Sequence, residues 1–141
     1  MHLTRVVAAC TKVLVTRAVY WEPAGLIHAS EYFFERARRM SLREPPVDLW
    51  IRLEAERSRK RSNVRTYGLA PLGLLDLEVA GSSRTIAEAK DLVRSLARYV
   101  LAHGPVLADG HTVGRSDDER IRVRRHGSFV NHRESVFRLA F

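Results

Sequence analysis

The residues of this chain that could do chemistry concentrate in a glycine-rich connector spanning residues 104–125. The Asp109-Gly110 pair is a turn signal, and Gly114 marks a second point of backbone constraint. The polar side chains beside these turns are candidates to line a ligand pocket over the end of a sheet, and they are Asp109, His111, Thr112 and Arg115. The alternative, which we favour, is a structured loop in which Asp109 caps backbone amides and His111 bonds a neighbour.

The remaining sequence carries no recognised catalytic signature. It has no P-loop, no dinucleotide-binding fingerprint and no nucleophile elbow. The six histidines are scattered without metal-binding spacing. The one cysteine, Cys10, falls on the apolar stripe of the first predicted helix, where we expect it to be buried. We therefore predict no catalytic residue, no metal and no cofactor.

The chain is strongly basic, with a formal net charge of +8. Such a charge favours an anionic partner, although a GC-rich genome, which favours arginine codons, gives the same result. One basic cluster crowds a predicted hairpin tip and a second lines a predicted strand; they comprise Arg57, Arg59, Lys60, Arg61 and Arg65, and Arg120, Arg122, Arg124 and Arg125. Because no nucleic-acid-binding signature accompanies them, a solvated basic face is favoured over a nucleic-acid site.

The spacing of apolar residues predicts the elements that must position these side chains. It predicts helices over about residues 3–16, 30–40 and 86–102, and strands over 18–21, 48–57, 64–69, 74–80, 120–125 and 135–141. Thr85 and Glu88 form a capping box at the start of the third helix, which Gly104 and Pro105 end. The prediction is one α+β domain over residues 1–141, with two long helices and one shorter helix on a mostly antiparallel sheet of about five or six strands.

Two tryptophans are candidate contact residues for another protein. Trp21 ends a short apolar run, and Trp50 falls on the nominally polar side of the strand predicted over residues 48–57. Exposed aromatic side chains are enriched at protein interfaces. For Trp50, cover by a helix on that side of the strand is the alternative.

Taken together, these segments resemble a bacterial domain-of-unknown-function family, number 4261. The resemblance is carried by Gly104–Leu107, Asp109–Thr112, Gly114 and Arg120–Arg124, and by upstream pieces at residues 18–33, 47–54 and 65–79. It implies no activity. Members of that family look longer, so the resemblance implies a short or truncated member. A missing half would leave an apolar surface in need of a partner.

These observations favour a cytoplasmic, non-enzymatic module that binds another protein or itself, in a toxin–immunity or regulatory setting. No apolar run approaches the roughly 20 residues of a membrane span, and no signal peptide is evident, so we expect no membrane association. An anion or nucleic-acid binder that uses the two basic clusters is the second hypothesis. A small-molecule-binding domain or enzyme built around Asp109, His111 and Arg115 is the third.

Overall fold

A computed structural model describes residues 1–58, 60–114 and 119–140 of the chain. The helices in these ranges are α1 (His2–Val13), α2 (Ser30–Arg39), α3 (Val47–Trp50) and α4 (Ile86–His103). The strands are β1 (Ala18–Trp21), β2 (Leu26–Ala29), β3 (Arg52–Ser58), β4 (Arg61–Tyr67), β5 (Asp76–Ser82), β6 (Thr112–Val113), β7 (Ile121–Gly127) and β8 (Ser135–Ala140). No helix in the described ranges is long and apolar enough to span a bilayer.

The main sheet has six strands in the order β3-β4-β5-β8-β7-β6, and β1 and β2 form a separate two-stranded ribbon. All neighbouring strands pair antiparallel except β5 and β8, which run parallel. The predicted α+β class with a mostly antiparallel sheet is therefore confirmed. The sequence patterns did not predict β2 or β6.

Side-chain alternation gives the sheet two different faces. The register places Val64, Val79, Leu139 and Val123 side by side across four strands, and all four side chains are buried. These residues belong to the same hydrophobic core as the inner stripe of α4, so we call this the covered face. The opposite, open face carries charged residues.

The longest helix, α4, forms where its capping pattern predicts. The Thr85 hydroxyl accepts a hydrogen bond from the Glu88 N–H, and the Glu88 carboxylate accepts one from the Thr85 N–H at 2.8 Å. Gly104 closes the helix with φ 81° and ψ −158°, a backbone conformation that favours glycine. This helix packs on the three strands β3, β4 and β5 of the main sheet.

The segment around Trp50 corrects the predicted strand over residues 48–57. Val47–Trp50 forms one helical turn, α3, and the strand begins only at Arg52. The turn changes the phase of the side chains, so Trp50 points into the core and is 6% exposed. The Trp50 side chain is therefore buried, and α1, to which its indole donates a hydrogen bond, covers it, which is the alternative given above for this residue. Gly68 lies against it so closely that a Cβ atom there would be 2.4 Å from the Trp50 carbonyl oxygen.

Helix α1 packs against the rest of the domain through the side that carries its small residues. It packs against α2 and buries Thr4 and Ala8. The Trp50 indole Nε1 donates a hydrogen bond of 3.0 Å to the Thr4 hydroxyl. The apolar side predicted to enter the core is largely exposed instead, and Cys10, which we expected to be buried, is exposed with it.

Candidate functional site

The connector after α4 is held together by its own hydrogen bonds. The Asp109 carboxylate accepts a hydrogen bond of 2.7 Å from the Arg125 N–H, and His111 Nδ1 accepts one of 3.3 Å from the Ala108 N–H. Backbone bonds of 2.8 and 2.7 Å also join Gly110 and His111 to Val123. Both Asp109 and His111 are exposed. This geometry corresponds to the structured-loop alternative that the sequence favoured.

The four polar residues of the predicted ligand pocket are not brought together by the described structure. Thr112 lines a cavity of about 410 Å³ between β6 and α4, whose lining includes neither Asp109 nor His111. Arg115 lies outside the described residues. Among the described side chains, no three His, Cys, Asp or Glu residues are grouped so that they could hold a metal ion.

The two predicted basic clusters occupy separate parts of the sheet. Arg57, Lys60 and Arg61 are exposed around the β3–β4 hairpin, whereas Arg59 lies outside the described residues. Arg122 and Arg124 are exposed on the open face of β7, and Arg120 is exposed just before that strand. Since β5 and β8 lie between β4 and β7, the clusters are separated by about 14 Å at the usual strand spacing.

Arg65 belongs to neither basic surface, which corrects its assignment to the hairpin tip. It is 3% exposed in the middle of the open face. It pairs there with Glu78, and its guanidinium also donates to Glu134 and to the Ser128 hydroxyl. Burial alone lowers the pKa of Arg65, but Glu134, Tyr67 and Glu78 together raise it above its ordinary value.

Arg65 forms part of a row of charges that crosses five strands of the open face. The register aligns Glu54, Arg65, Glu78, Arg138 and Arg124 as cross-strand neighbours, and we call this set the charge row. Glu78 at its centre is fully buried and pairs with Arg138 at 3.5 Å. Asp109 lies at the β7 end of the row, 3.9 Å from Arg124. Asp109 therefore contacts the side chain of Arg124 and the backbone N–H of Arg125.

The loop over residues 128–134 folds across the centre of the charge row. The Ser128 hydroxyl donates to Glu78, and the Phe129 N–H donates to the same carboxylate at 3.2 Å. The hydrogen bond from Arg65 lowers the pKa of Glu134. Within this cluster the Nε atoms of Arg65 and Arg138 are buried without a hydrogen-bond partner in the described part of the chain. The charge row fastens a loop to the sheet, and its central charges are enclosed rather than presented to a ligand.

An uncovered apolar stripe runs along α1. Leu3, Val6, Cys10 and Val13 follow each other at alternating intervals of three and four residues, the spacing of a helix-packing seam. Leu3, Val6 and Val13 are 65%, 59% and 84% exposed, and Cys10 is exposed between them. We call these four residues the α1 seam. The helix presents its apolar seam to solvent and its threonine side to the core.

An apolar groove of about 630 Å³ begins at the N-terminal end of the α1 seam. Its apolar walls include Leu3, Val7, Tyr20, Trp21, Leu42 and Trp50. Trp21 is half-buried, and the centre of its ring lies 6.4 Å from the centre of the Phe33 ring. Tyr20 is exposed at the rim of the groove. Both predicted tryptophans therefore border the same groove, Trp21 from the ribbon and Trp50 from beneath. The sequence patterns indicated the tryptophans but not the groove.

Comparison with known proteins gives one match. The model of a domain of unknown function, DUF4261, matches residues 65–140, which is more than half of the chain. That segment contains the end of β4, then β5, α4 and the strands that follow, whereas α1 and the ribbon lie outside it. No curated protein and no solved structure matches the chain.

Proposed function

We propose that this chain, which belongs to the DUF4261 family of domains of unknown function, is a protein-interaction module that works in the cytoplasm. The observation that carries the proposal is the α1 seam, an apolar helix-packing stripe directed at solvent. Fully burying a valine or leucine side chain stabilises a complex by about 1.5–3 kcal/mol. A partner that covers the seam therefore gains its binding energy from side chains that the isolated domain leaves in water.

The groove supports the same proposal. It is concave and mostly apolar, it shares Leu3 with the seam, and its rim carries the exposed Tyr20. Binding energy at protein interfaces concentrates where large side chains fill desolvated pockets. The seam and the groove together form one surface, on which a partner can contact α1 and insert a side chain into the groove beside Trp21.

The proposal is tested by tagging the chain in its own cells and comparing the proteins that co-purify. The test variant is Val6→Glu with Val13→Glu, which charges the seam without touching the core. The matched control is Val130→Glu, because Val130 is a valine with the same 59% exposure as Val6 but lies in the loop over the sheet. We expect a stoichiometric partner with the native chain and the control, and none with the seam variant. A partner retained equally by all three proteins would contradict the proposal.

Anion binding on the open face is the second candidate function. It is supported by Arg122 and Arg124, which are both exposed on β7 at the edge of the charge row. Nucleic-acid binding through such residues weakens steeply with salt. Arg122→Glu with Arg124→Glu should then abolish salt-dependent binding of a duplex oligonucleotide. The absence of binding by the native chain at low salt would end this candidate.

A further inference from the structure

We propose that a cavity between α2 and α4 binds the phosphate group of a small organic molecule. The cavity has a volume of about 420 Å³, and three arginines from the two helices line it, Arg36, Arg39 and Arg98. Small-molecule sites in proteins have volumes of about 300–1,000 Å³. The α1 seam contributes no residue to the lining, so this site is independent of the proposed partner surface.

The walls of the cavity are fixed by the elements around it. Arg36 and Arg39 are three residues apart on α2 and therefore lie on one side of that helix. In the turn after α2, the Ser41 N–H donates to the Glu44 carbonyl at 3.2 Å, and the Glu44 N–H donates to the Ser41 hydroxyl at 3.0 Å. The Pro45-Pro46 pair follows with a restricted backbone. Helix α3 then contacts both α2 and α4, so packed elements hold the arginines around the cavity.

The carboxylates of the domain neutralise these arginines incompletely. Arg36 Nη2 lies 2.6 Å from the Asp48 carboxylate, but the Arg36 Nε is buried without a hydrogen-bond partner among the described residues. The Arg39 guanidinium is 3.9 Å from the Glu35 carboxylate. Arg98 has no carboxylate partner in the described ranges, and no residue one turn away from it on α4 is acidic. The cavity therefore keeps an excess of positive charge, which favours an anionic ligand.

The arrangement favours a phosphate ester over a carboxylate. A phosphate monoester carries a charge of about −1.5 to −2 at pH 7 and three acceptor oxygens, so it can accept hydrogen bonds from guanidinium groups on two helices at once. A carboxylate has two oxygens, which a single guanidinium already matches. The lining also includes Met40 and the Pro45-Pro46 pair, which offer apolar contacts to an organic body, and Glu44, whose carboxylate can accept a hydrogen bond from a ligand hydroxyl. The ligand is therefore a small phosphate ester that carries hydroxyl groups.

Calorimetric titration of the full chain with glycerol phosphate at low salt tests the site. The cavity variants are Arg98→Gln and Arg39→Gln, whose exposed side chains can be changed without disturbing the core. We expect each variant to weaken binding by about tenfold or more, since each removes a charge-assisted hydrogen bond. The matched control is Arg94→Gln, because Arg94 lies one turn before Arg98, pairs with Asp91 at 3.3 Å and is absent from the lining. The control removes the same charge and should leave binding unchanged.

Two further probes define the chemistry of the ligand. Inorganic phosphate should bind more weakly than glycerol phosphate, because it lacks the organic body and its hydroxyl groups. Glu44→Ala should reduce that difference, since the ligand hydroxyls lose their acceptor. Succinate, a dicarboxylate of similar charge, should bind more weakly than either phosphate probe.

Three results would overturn the inference. The first is no binding of either phosphate probe to the native chain at about 10 mM. The second is equal weakening in the Arg94 variant and the two cavity variants, which would mean a general attraction to the basic surface. The third is tighter binding of succinate than of glycerol phosphate, which would assign the cavity to carboxylates. None of these results bears on the α1 seam, whose test is the co-purification of a partner.

Discussion

At the scale of single residues, Glu78 is the central contact of the open face of the sheet. Its carboxylate is fully buried and forms ion pairs with Arg65 and Arg138. The same carboxylate accepts hydrogen bonds from the Ser128 hydroxyl and the Phe129 N–H. In the sequence, Glu78 is one of the polar residues that alternate with apolar residues on β5, and nothing local indicates that it is buried. Only the pairing of β5 with β8 brings Glu78 and Arg138 together, so the charge row could not be predicted from the chain.

Glu78→Gln should lower the free energy of unfolding by about 3–5 kcal/mol, because it leaves the buried Arg65 guanidinium and the partly buried Arg138 guanidinium facing a neutral amide. Urea unfolding measures the loss. The matched control is Glu54→Gln at the exposed end of the same row, where the loss should stay below about 1 kcal/mol. Equal losses in the two variants would mean that the row is not an enclosed cluster.

Asp76 predicts a pH dependence of stability. Burial raises its pKa, although its Oδ1 accepts hydrogen bonds from the Thr66 hydroxyl at 2.7 Å and from the Leu69 N–H at 3.2 Å. A carboxyl whose pKa is higher in the folded state favours folding in acid, and this contribution is lost as the pH rises through the folded pKa. Asp76→Asn keeps the Oδ1 acceptor and has no such loss. The stability of the variant relative to the native chain should therefore increase as the pH rises above about 4, the ordinary aspartate value. A difference that does not change with pH would contradict this account.

At the scale of elements, three of the helices show what sequence patterns can and cannot predict. Helix α4 is predictable because its capping box and its continuous apolar stripe agree. Helix α3 is a single turn of four residues, too short to give a helical period. The alternation over residues 48–57 therefore predicts a strand there, with Trp50 on its polar side. The pattern of α1 reveals an apolar side, but which side meets the core depends on its neighbours.

Thr85→Ala should cost about 1 kcal/mol of stability, because the Glu88 N–H loses its side-chain acceptor at the start of α4. Thermal unfolding followed by circular dichroism measures the change. Ser83→Ala, two residues earlier and exposed, serves as the control and should be nearly neutral. A neutral Thr85 variant would show that the capping box does not stabilise the helix.

Thr4→Val should loosen α1, because it leaves the buried Trp50 indole N–H without its acceptor, at a cost of about 1–3 kcal/mol. Hydrogen exchange should accelerate along α1 before the rest of the domain. Thr11→Val is the control on the same helix, since the Thr11 hydroxyl bonds only the Ala8 carbonyl within α1. If the Thr11 variant loosens α1 as much as the Thr4 variant, the Trp50 bond is not the anchor.

At the scale of the whole molecule, the sheet and its two faces lie mainly in the segment that the family model matches, and the proposed contact surface lies mainly outside it. Residues 65–140 supply the charge row except Glu54 and most of the covered face, whereas α1 and the ribbon supply the seam and the Tyr20 rim of the groove. This division suits a common core that carries a separate binding element. Chain length and the spacing of apolar residues predicted the single α+β domain, but the exposure of α1 needed the packing of α2 and Trp50 to be known.

The central claim, that a protein covers the α1 seam, is tested most directly by the alkylation rate of Cys10 inside the cells that make the chain. Cys10 is the chain's one cysteine and lies within the seam, so no engineered label is needed. The account predicts slow alkylation in cells and fast alkylation of the purified chain, with the difference abolished by Val6→Glu and Val13→Glu. Alkylation that is as fast in cells as in the purified protein would show that the seam is bare where the protein works, and would contradict the claim.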